Sequence, residues 1–120
     1  MGIYSGRLLG LVVLAGCGST LGPGEPNFGA QYQVSAEPPP AITGTALTVT
    51  LQYGGCNGGH DFQLITRTRD LSAEVWLRKL TADQPCDMLV IEPRSFQLPL
   101  SVTEAASIAL LAPNGEFRIR

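Results

Sequence analysis

The sequence predicts an all-β protein, an antiparallel β-sandwich that is immunoglobulin-like in the loose sense and has about seven short strands. Several runs alternate apolar and polar residues, as half-buried strands do. Turn residues separate these runs at the spacing typical of a sandwich. A tight-turn signal, Asn114-Gly115, lies between the last two runs. A small β-barrel is the alternative arrangement of the same strands.

The clearest predicted strand is formed by residues 46–53, because every second residue is apolar and threonine or glutamine lies between. Residues 73–80 are compatible with a short helix, but consecutive apolar side chains at 75–77 favour a strand that is covered on both faces. Pro93 is expected to end one run and Pro99 to place the next at an edge. The other strand-like runs are residues 31–35, 61–69, 86–91, 95–100, 107–111 and 116–120.

The first sixteen residues have the form of a removable secretory signal. Arg7 is positively charged, and the apolar run at 8–14 is too short to cross a bilayer. Residues 18–29 are rich in glycine and proline and are expected to form a flexible tether. The predicted organisation is a signal peptide at 1–16, Cys17 with the tether at 17–29, and one β domain at 30–120.

The segment Leu14-Ala15-Gly16-Cys17 resembles the lipobox of bacterial lipoproteins. The resemblance implies cleavage before Cys17, a diacylglycerol on its sulfur, and an acyl chain such as palmitate on its new amino group. Such a lipid would anchor the protein to a membrane of the cell envelope. Gly18, where an aspartate would signal inner-membrane retention, implies the outer membrane, with the domain in the periplasm or at the surface. The alternative is an ordinary cleaved signal that leaves Cys17 as an unmodified thiol.

The domain itself is similar to small envelope lipoproteins of unknown function. The similarity lies in Gly54-Gly55-Cys56 with His60-x-Phe62, and in Pro85-Cys86-Asp87 with Phe96-x-Leu98-Pro99-Leu100. It implies no particular activity. Without Arg7, seven basic residues face ten acidic ones with the signs interspersed, which argues against a nucleic-acid partner. The expected partners are therefore the membrane, through the lipid on Cys17, and an envelope protein or a small ligand.

With Cys17 lipidated, Cys56 and Cys86 remain, and an even pair in an oxidising envelope predicts a disulfide. Closing this loop would contribute about 3.6 kcal/mol in the chain-entropy model. The alternative is a zinc or copper site built from Cys56, His60 and Cys86, because the spacing from Cys56 to His60 suits metal ligands. Oxygen or thioether ligands for that site would come from Asp61, Asp87 or Met88.

His60 next to Asp61 suggests an acid–base pair, but neighbours along a strand point to opposite faces. No suitable nucleophile accompanies the histidine, so we expect no enzyme and no cofactor. His60 is instead expected to form hydrogen bonds near the disulfide and to order the glycine-rich loop. Trp76 with Arg78 and Lys79 is a possible ligand-stacking patch, although a lone tryptophan in a small domain usually belongs to the core.

Overall fold

The computed structural model describes residues 25–120, which form eight β-strands in two sheets. The first, here called the β3 sheet, contains β1 (Gln33–Val34), β2 (Ala41–Thr43), β3 (Ala46–Gly55) and β6 (Met88–Gln97). The second, called the β5 sheet, contains β4 (Phe62–Arg69), β5 (Ser72–Lys79), β7 (Ser107–Ala112) and β8 (Gly115–Arg118). A single helical turn, α1 (Leu100–Thr103), precedes β7. Within the described residues, no helix has the length and apolar character needed to span a membrane.

The strand order confirms the predicted all-β sandwich. In the β3 sheet, β1 and β2 share one side of β3 and β6 pairs with the other, all antiparallel. The β5 sheet has the order β4-β5-β7-β8, in which β5 and β7 are parallel and the other pairs antiparallel. No strand of residues 25–120 pairs across the two sheets, so the barrel alternative is wrong.

The parallel pair was not predicted. The chain leaves β5 for β6 in the other sheet and returns through α1, so that β7 enters beside β5 in the same direction. Such a crossover needs a long connection, whereas adjacent antiparallel strands need only a short turn. The alternation of apolar and polar residues along a strand does not indicate whether its neighbour runs parallel or antiparallel to it.

The core lies between the sheets and is built from the inward-facing residues of both. The apolar positions of β3 all face inward as predicted, and Leu47 and Leu51 are fully buried. In β5, consecutive Val75, Trp76 and Leu77 are all buried, which confirms a strand covered on both faces. The further fully or almost fully buried apolar residues are Val34, Ala73, Val102, Ile108 and Leu110.

Residues 86–97 differ from the prediction, because β6 continues through Pro93 and joins two predicted runs into one strand. Pro93 lies opposite Thr50 of β3. Among the described residues β6 pairs only with β3, and an edge strand tolerates proline because its missing N–H faces the open side. As a result, every second residue of β6 from Val90 to Phe96 faces the other sheet.

The ordered arm before β1 packs on the end of β5. The Lys79 N–H donates to the Phe28 carbonyl at 2.8 Å, and the Ala30 N–H donates to the Lys79 carbonyl at 3.1 Å. Gly29 between them has a φ of +74°, and a Cβ there would lie 2.2 Å from the Lys79 carbonyl oxygen. Phe28 and Gly29 therefore pack with the domain, although the sequence placed them in the tether. The predicted signal peptide and Cys17 lie outside the described residues.

The turn between β7 and β8 differs in detail from the prediction. Ala112 pairs with Gly115, so the two-residue turn consists of Pro113 and Asn114, and only Gly115 has a positive φ, +136°. The turn of α1 follows Pro99 and has no side-chain cap. A proline before the first helical residue leaves no hydroxyl to cap the free N–H groups.

Candidate functional site

One end of the sandwich, here called the disulfide end, is closed by the bond between Cys56 and Cys86. Cys56 directly follows β3, and Cys86 lies two residues before β6. Because Gly55 pairs with Met88 across these strands, the two cysteines lie together, with Cα atoms 4.9 Å apart. That separation suits a disulfide. The predicted disulfide is confirmed, and both of its residues are exposed.

His60 lies beneath this disulfide end and is only 3% exposed. Its Nε2 lies 3.1 Å from Oε1 of Gln84, which also accepts the Cys56 N–H at 2.7 Å. Since a carbonyl oxygen can only accept, Nε2 carries the hydrogen in this network. Nδ1 is buried and has no hydrogen-bond partner among the described residues. Gln84 thus links His60 to Cys56 at the start of the disulfide loop. His60 forms a hydrogen bond near the disulfide, as the sequence predicted.

Three further side chains complete what we call the polar cluster: Tyr53, His60, Gln84, Glu92 and Arg94. The Tyr53 hydroxyl donates to Glu92 Oε1 and accepts the His60 N–H at 3.3 Å. Arg94 Nη1 donates to the His60 carbonyl at 2.9 Å and to Glu92 Oε1 at 3.2 Å. The Tyr53 and His60 rings lie 4.4 Å apart. The cluster therefore connects β3 and its neighbour β6 to the glycine-rich loop.

The ionisation of the cluster follows from these contacts. Burial, the largest influence, would raise the pKa of Glu92, but hydrogen bonds from Tyr53 and Gly59 and the charge of Arg94 together lower it. Burial also raises the pKa of Tyr53, and its hydrogen bond to Glu92 adds to that effect. The cluster is therefore organised around an ionised Glu92 and a neutral Tyr53.

Lys79 lies on the inner face of β5 and is only 2% exposed. Its Nζ donates to the Thr81 carbonyl at 2.8 Å and lies 5.1 Å from the centre of the Tyr53 ring. Burial lowers the pKa of Lys79, and the charge of Asp83 partly offsets this. Both contacts keep a cation inside the disulfide end, so Lys79 is a structural residue of this end.

Among the described residues, those considered as metal ligands do not form a joint site. The sulfurs of Cys56 and Cys86 are bonded to each other, so neither is a thiolate in this oxidised form. His60 contacts Gln84, and Asp61 and Asp87 are exposed. Across residues 25–120, no group of three or more His, Cys, Asp or Glu side chains is placed to hold a metal ion. A site at Cys56, His60 and Cys86 would first require reduction of the disulfide.

The patch suggested by Trp76, Arg78 and Lys79 is divided between two faces. Lys79 points between the sheets, opposite Phe62, whereas Trp76 and Arg78 belong to the other face of β5. Trp76 is 7% exposed, and the Arg67 guanidinium lies 5.1 Å from the centre of its ring. The cation stacked on the tryptophan therefore comes from β4, across the sheet, and not from the neighbouring Arg78.

The sequence identified Cys56, His60 and Cys86 but missed the other members of the polar cluster. The signal for two of them was present, because Glu92 and Arg94 alternate in phase with Val90 and Phe96. Because the prediction ended the strand at Pro93, Glu92 and Arg94 were not assigned to the same face of one strand. Gln84 carried no signal, since it lies in a loop and reaches His60 only through the disulfide-linked fold.

Apart from His60 Nδ1, the donors and acceptors of the cluster bond mainly to one another, and His60 is shielded from solvent. The arrangement suits a structural brace for the disulfide end. Comparisons with protein-family models, with curated proteins and with solved structures find no match.

Proposed function

We propose that this chain is a lipid-anchored lipoprotein of the bacterial cell envelope. The observation that carries the proposal is the run Leu14-Ala15-Gly16-Cys17, which follows a basic residue and a short apolar segment. Cys17 would carry the diacylglycerol and a further acyl chain. Two or more chains make a stable anchor, whereas one gives only marginal binding.

The disulfide supports this location. Disulfides persist in oxidising compartments such as the periplasm and are rare in the cytosol. Cys56–Cys86 is exposed at the surface, where cytosolic thiols would reach it. A domain of this size also benefits from such a crosslink, because its core alone leaves a small margin of stability.

The domain acts in this proposal as a non-enzymatic binding or structural module. The polar cluster supports this role, since His60 is buried and Glu92 is bonded to Tyr53 and Arg94. Its partner at the outer membrane would be an envelope protein or a small ligand. The lipid on Cys17 would keep the module at the membrane surface.

Metabolic labelling with radioactive palmitate tests the anchor. Wild-type protein should incorporate label and remain with the membranes, and Cys17→Ser should lose both properties. Cys86→Ser is the matched control, because it removes a different cysteine and should retain the label per molecule. Label in the Cys17→Ser protein, or none in the wild type, would reject the lipoprotein assignment.

The membrane can be tested with Gly18→Asp. If the lipoprotein sorting signal operates, aspartate after the lipidated cysteine should move the protein from the outer-membrane to the inner-membrane fraction. Gly18→Ser is the control of similar size and should leave the distribution unchanged. If the Gly18→Asp protein stayed in the outer-membrane fraction, the proposed sorting would be wrong.

A further inference from the structure

The outer face of the β5 sheet is positively charged, because arginines that are far apart in the sequence lie together on it. The strand register places Arg67 and Arg69 of β4, Arg78 of β5 and Arg118 of β8 on this face. Two glutamates, Glu74 and Glu116, share it, so four arginines leave a formal charge of +2. The other described residues include three basic and eight acidic ones, a charge of −5. The domain is therefore electrostatically polarised.

An apolar row crosses the middle of the same face. Ile65, Trp76 and Leu111 lie side by side in register across β4, β5 and β7. Ile65 and Leu111 are only partly buried, and Nε1 of Trp76 has no hydrogen-bond partner among the described residues. A sheet face with an apolar row flanked by arginines combines the two attractions that bring peripheral proteins to lipid.

A cavity of about 470 Å³ opens on this face beside the apolar row. Its lining is Arg67, Thr68, Arg69, Ser72 and Glu74. Arg67 is paired with Glu74 at 2.6 Å, whereas Arg69 is exposed and forms no ion pair within residues 25–120. Guanidinium and hydroxyl donors are the groups that bind phosphate. The cavity therefore has donors suited to the phosphate of a lipid headgroup.

The first described residues join the domain at this same sheet. Gly29 bridges Lys79 at the end of β5, so the ordered arm enters the domain as a neighbour of β5. Glu25, the first described residue, is eight residues after Cys17. Eight residues reach at most about 28 Å when fully extended. A lipid on Cys17 would therefore keep the β5 sheet close to the bilayer.

We propose that the outer face of the β5 sheet docks on an anionic phospholipid surface. The apolar row lies at the lipid interface, and Arg69 and Arg78 lie over headgroup phosphates. The positive charge of this face and the short tether to the lipid on Cys17 favour a membrane as the occupant. This inference rests on the proposed lipid anchor and adds an orientation of the domain on the membrane.

Trp76 provides the test, because it is the only tryptophan of the chain. The full lipoprotein is reconstituted in phosphatidylcholine vesicles with and without phosphatidylglycerol, and brominated acyl chains are used to quench its fluorescence. Docking predicts quenching that depends on phosphatidylglycerol. Arg69→Gln with Arg78→Gln should lower the ratio of docked to undocked molecules about fivefold per arginine, or about 25-fold for the pair. Intact mass of the N-terminal peptide records whether Cys17 is acylated.

Ala41→Glu with Ser95→Glu is the matched control, because it changes the net charge by the same amount on exposed positions of the other sheet. This control should retain the wild-type quenching. If both double variants lost quenching equally, the loss would follow from net charge alone, and the proposed docking face would be wrong. Unquenched Trp76 on an acylated protein also overturns docking and leaves the anchor standing. Phosphatidylglycerol-dependent quenching of a protein with unmodified Cys17 supports docking and rejects the anchor.

Discussion

The side-chain amide of Asn114 forms two hydrogen bonds with the backbone of Val34. The Val34 N–H donates to Oδ1 at 3.0 Å, and Nδ2 donates to the Val34 carbonyl at 2.9 Å. Asn114 lies in the turn between β7 and β8, and Val34 belongs to β1 of the other sheet. The amide thus occupies the position of a neighbouring strand. It joins the two sheets and blocks an edge that would otherwise be open to pairing.

Asn114→Ala should therefore lower the free energy of unfolding by about 2 kcal/mol, because it leaves both polar groups of Val34 without their partner. Urea unfolding measures this loss. Asn57→Ala is the control, since Asn57 is exposed in a loop and its truncation should change stability by less than about 0.5 kcal/mol. Equal stabilities of the two variants would show that the Asn114–Val34 contact adds nothing.

Reduction of Cys56–Cys86 should lower the free energy of unfolding by about 3.6 kcal/mol, because the disulfide closes a loop of about 30 residues. Thermal melts with and without reductant measure this effect. In a Cys56→Ser, Cys86→Ser protein, reductant should change nothing. A wild-type midpoint that does not move on reduction would contradict a stabilising role.

The metal hypothesis makes a different prediction for the same reduced protein. If the disulfide is structural, zinc should not restore the lost stability, because His60 is engaged by Gln84. Zinc titration followed by melting distinguishes the two hypotheses. Stoichiometric zinc binding that raises the midpoint and disappears in Cys86→Ser would favour a site at Cys56, His60 and Cys86.

Glu92 should make the domain sensitive to acid. Although burial would raise its pKa, Tyr53, Gly59 and Arg94 hold it below the usual value of 4.5. Because the folded pKa is the lower one, the stabilisation is present above pH 4.5 and is lost as the pH falls through the folded pKa. Glu92→Gln should therefore be less stable at neutral pH and lose less stability on acidification.

Urea unfolding over a series of pH values measures the two slopes. Glu104→Gln removes the same charge from an exposed side chain and should keep the acid slope of the wild type. If Glu92→Gln lost as much stability per pH unit as the wild type, the acid sensitivity would be caused by other carboxylates.

Gly29 and Gly44 allow a paired test of the ordered arm. Both have positive φ, +74° and +65°, but only at Gly29 would a Cβ meet backbone, at 2.2 Å from the Lys79 oxygen. Gly44→Ala should cost about 1 kcal/mol for its φ alone. Gly29→Ala should cost about 3 kcal/mol or more, since it also separates the arm from β5.

Amide hydrogen exchange locates the effect of these two substitutions. In Gly29→Ala the amides of Ala30 and Lys79, which join the arm to β5, should lose protection. In Gly44→Ala they should keep it. Similar costs and similar exchange in both variants would mean that the arm is not clamped at Gly29.

The sequence alone was sufficient where the information is local. The period of two in β3 showed which side chains face the core, and it required no knowledge of neighbouring strands. The even pair of cysteines indicated the disulfide, because chemistry and compartment leave few alternatives. His60 was placed beside that disulfide because it lies only four positions after Cys56 in the chain.

The tertiary structure alone decided which distant residues meet. Asn114 reaches Val34 across 80 residues, Gln84 reaches His60 through the disulfide, and β7 lies parallel to β5. The arginines at 67, 69, 78 and 118 appear interspersed with acidic residues along the chain but share one face of a sheet. The physical reason is that alternation sets the face of each side chain locally, whereas strand neighbours are chosen by the packing of two whole sheets.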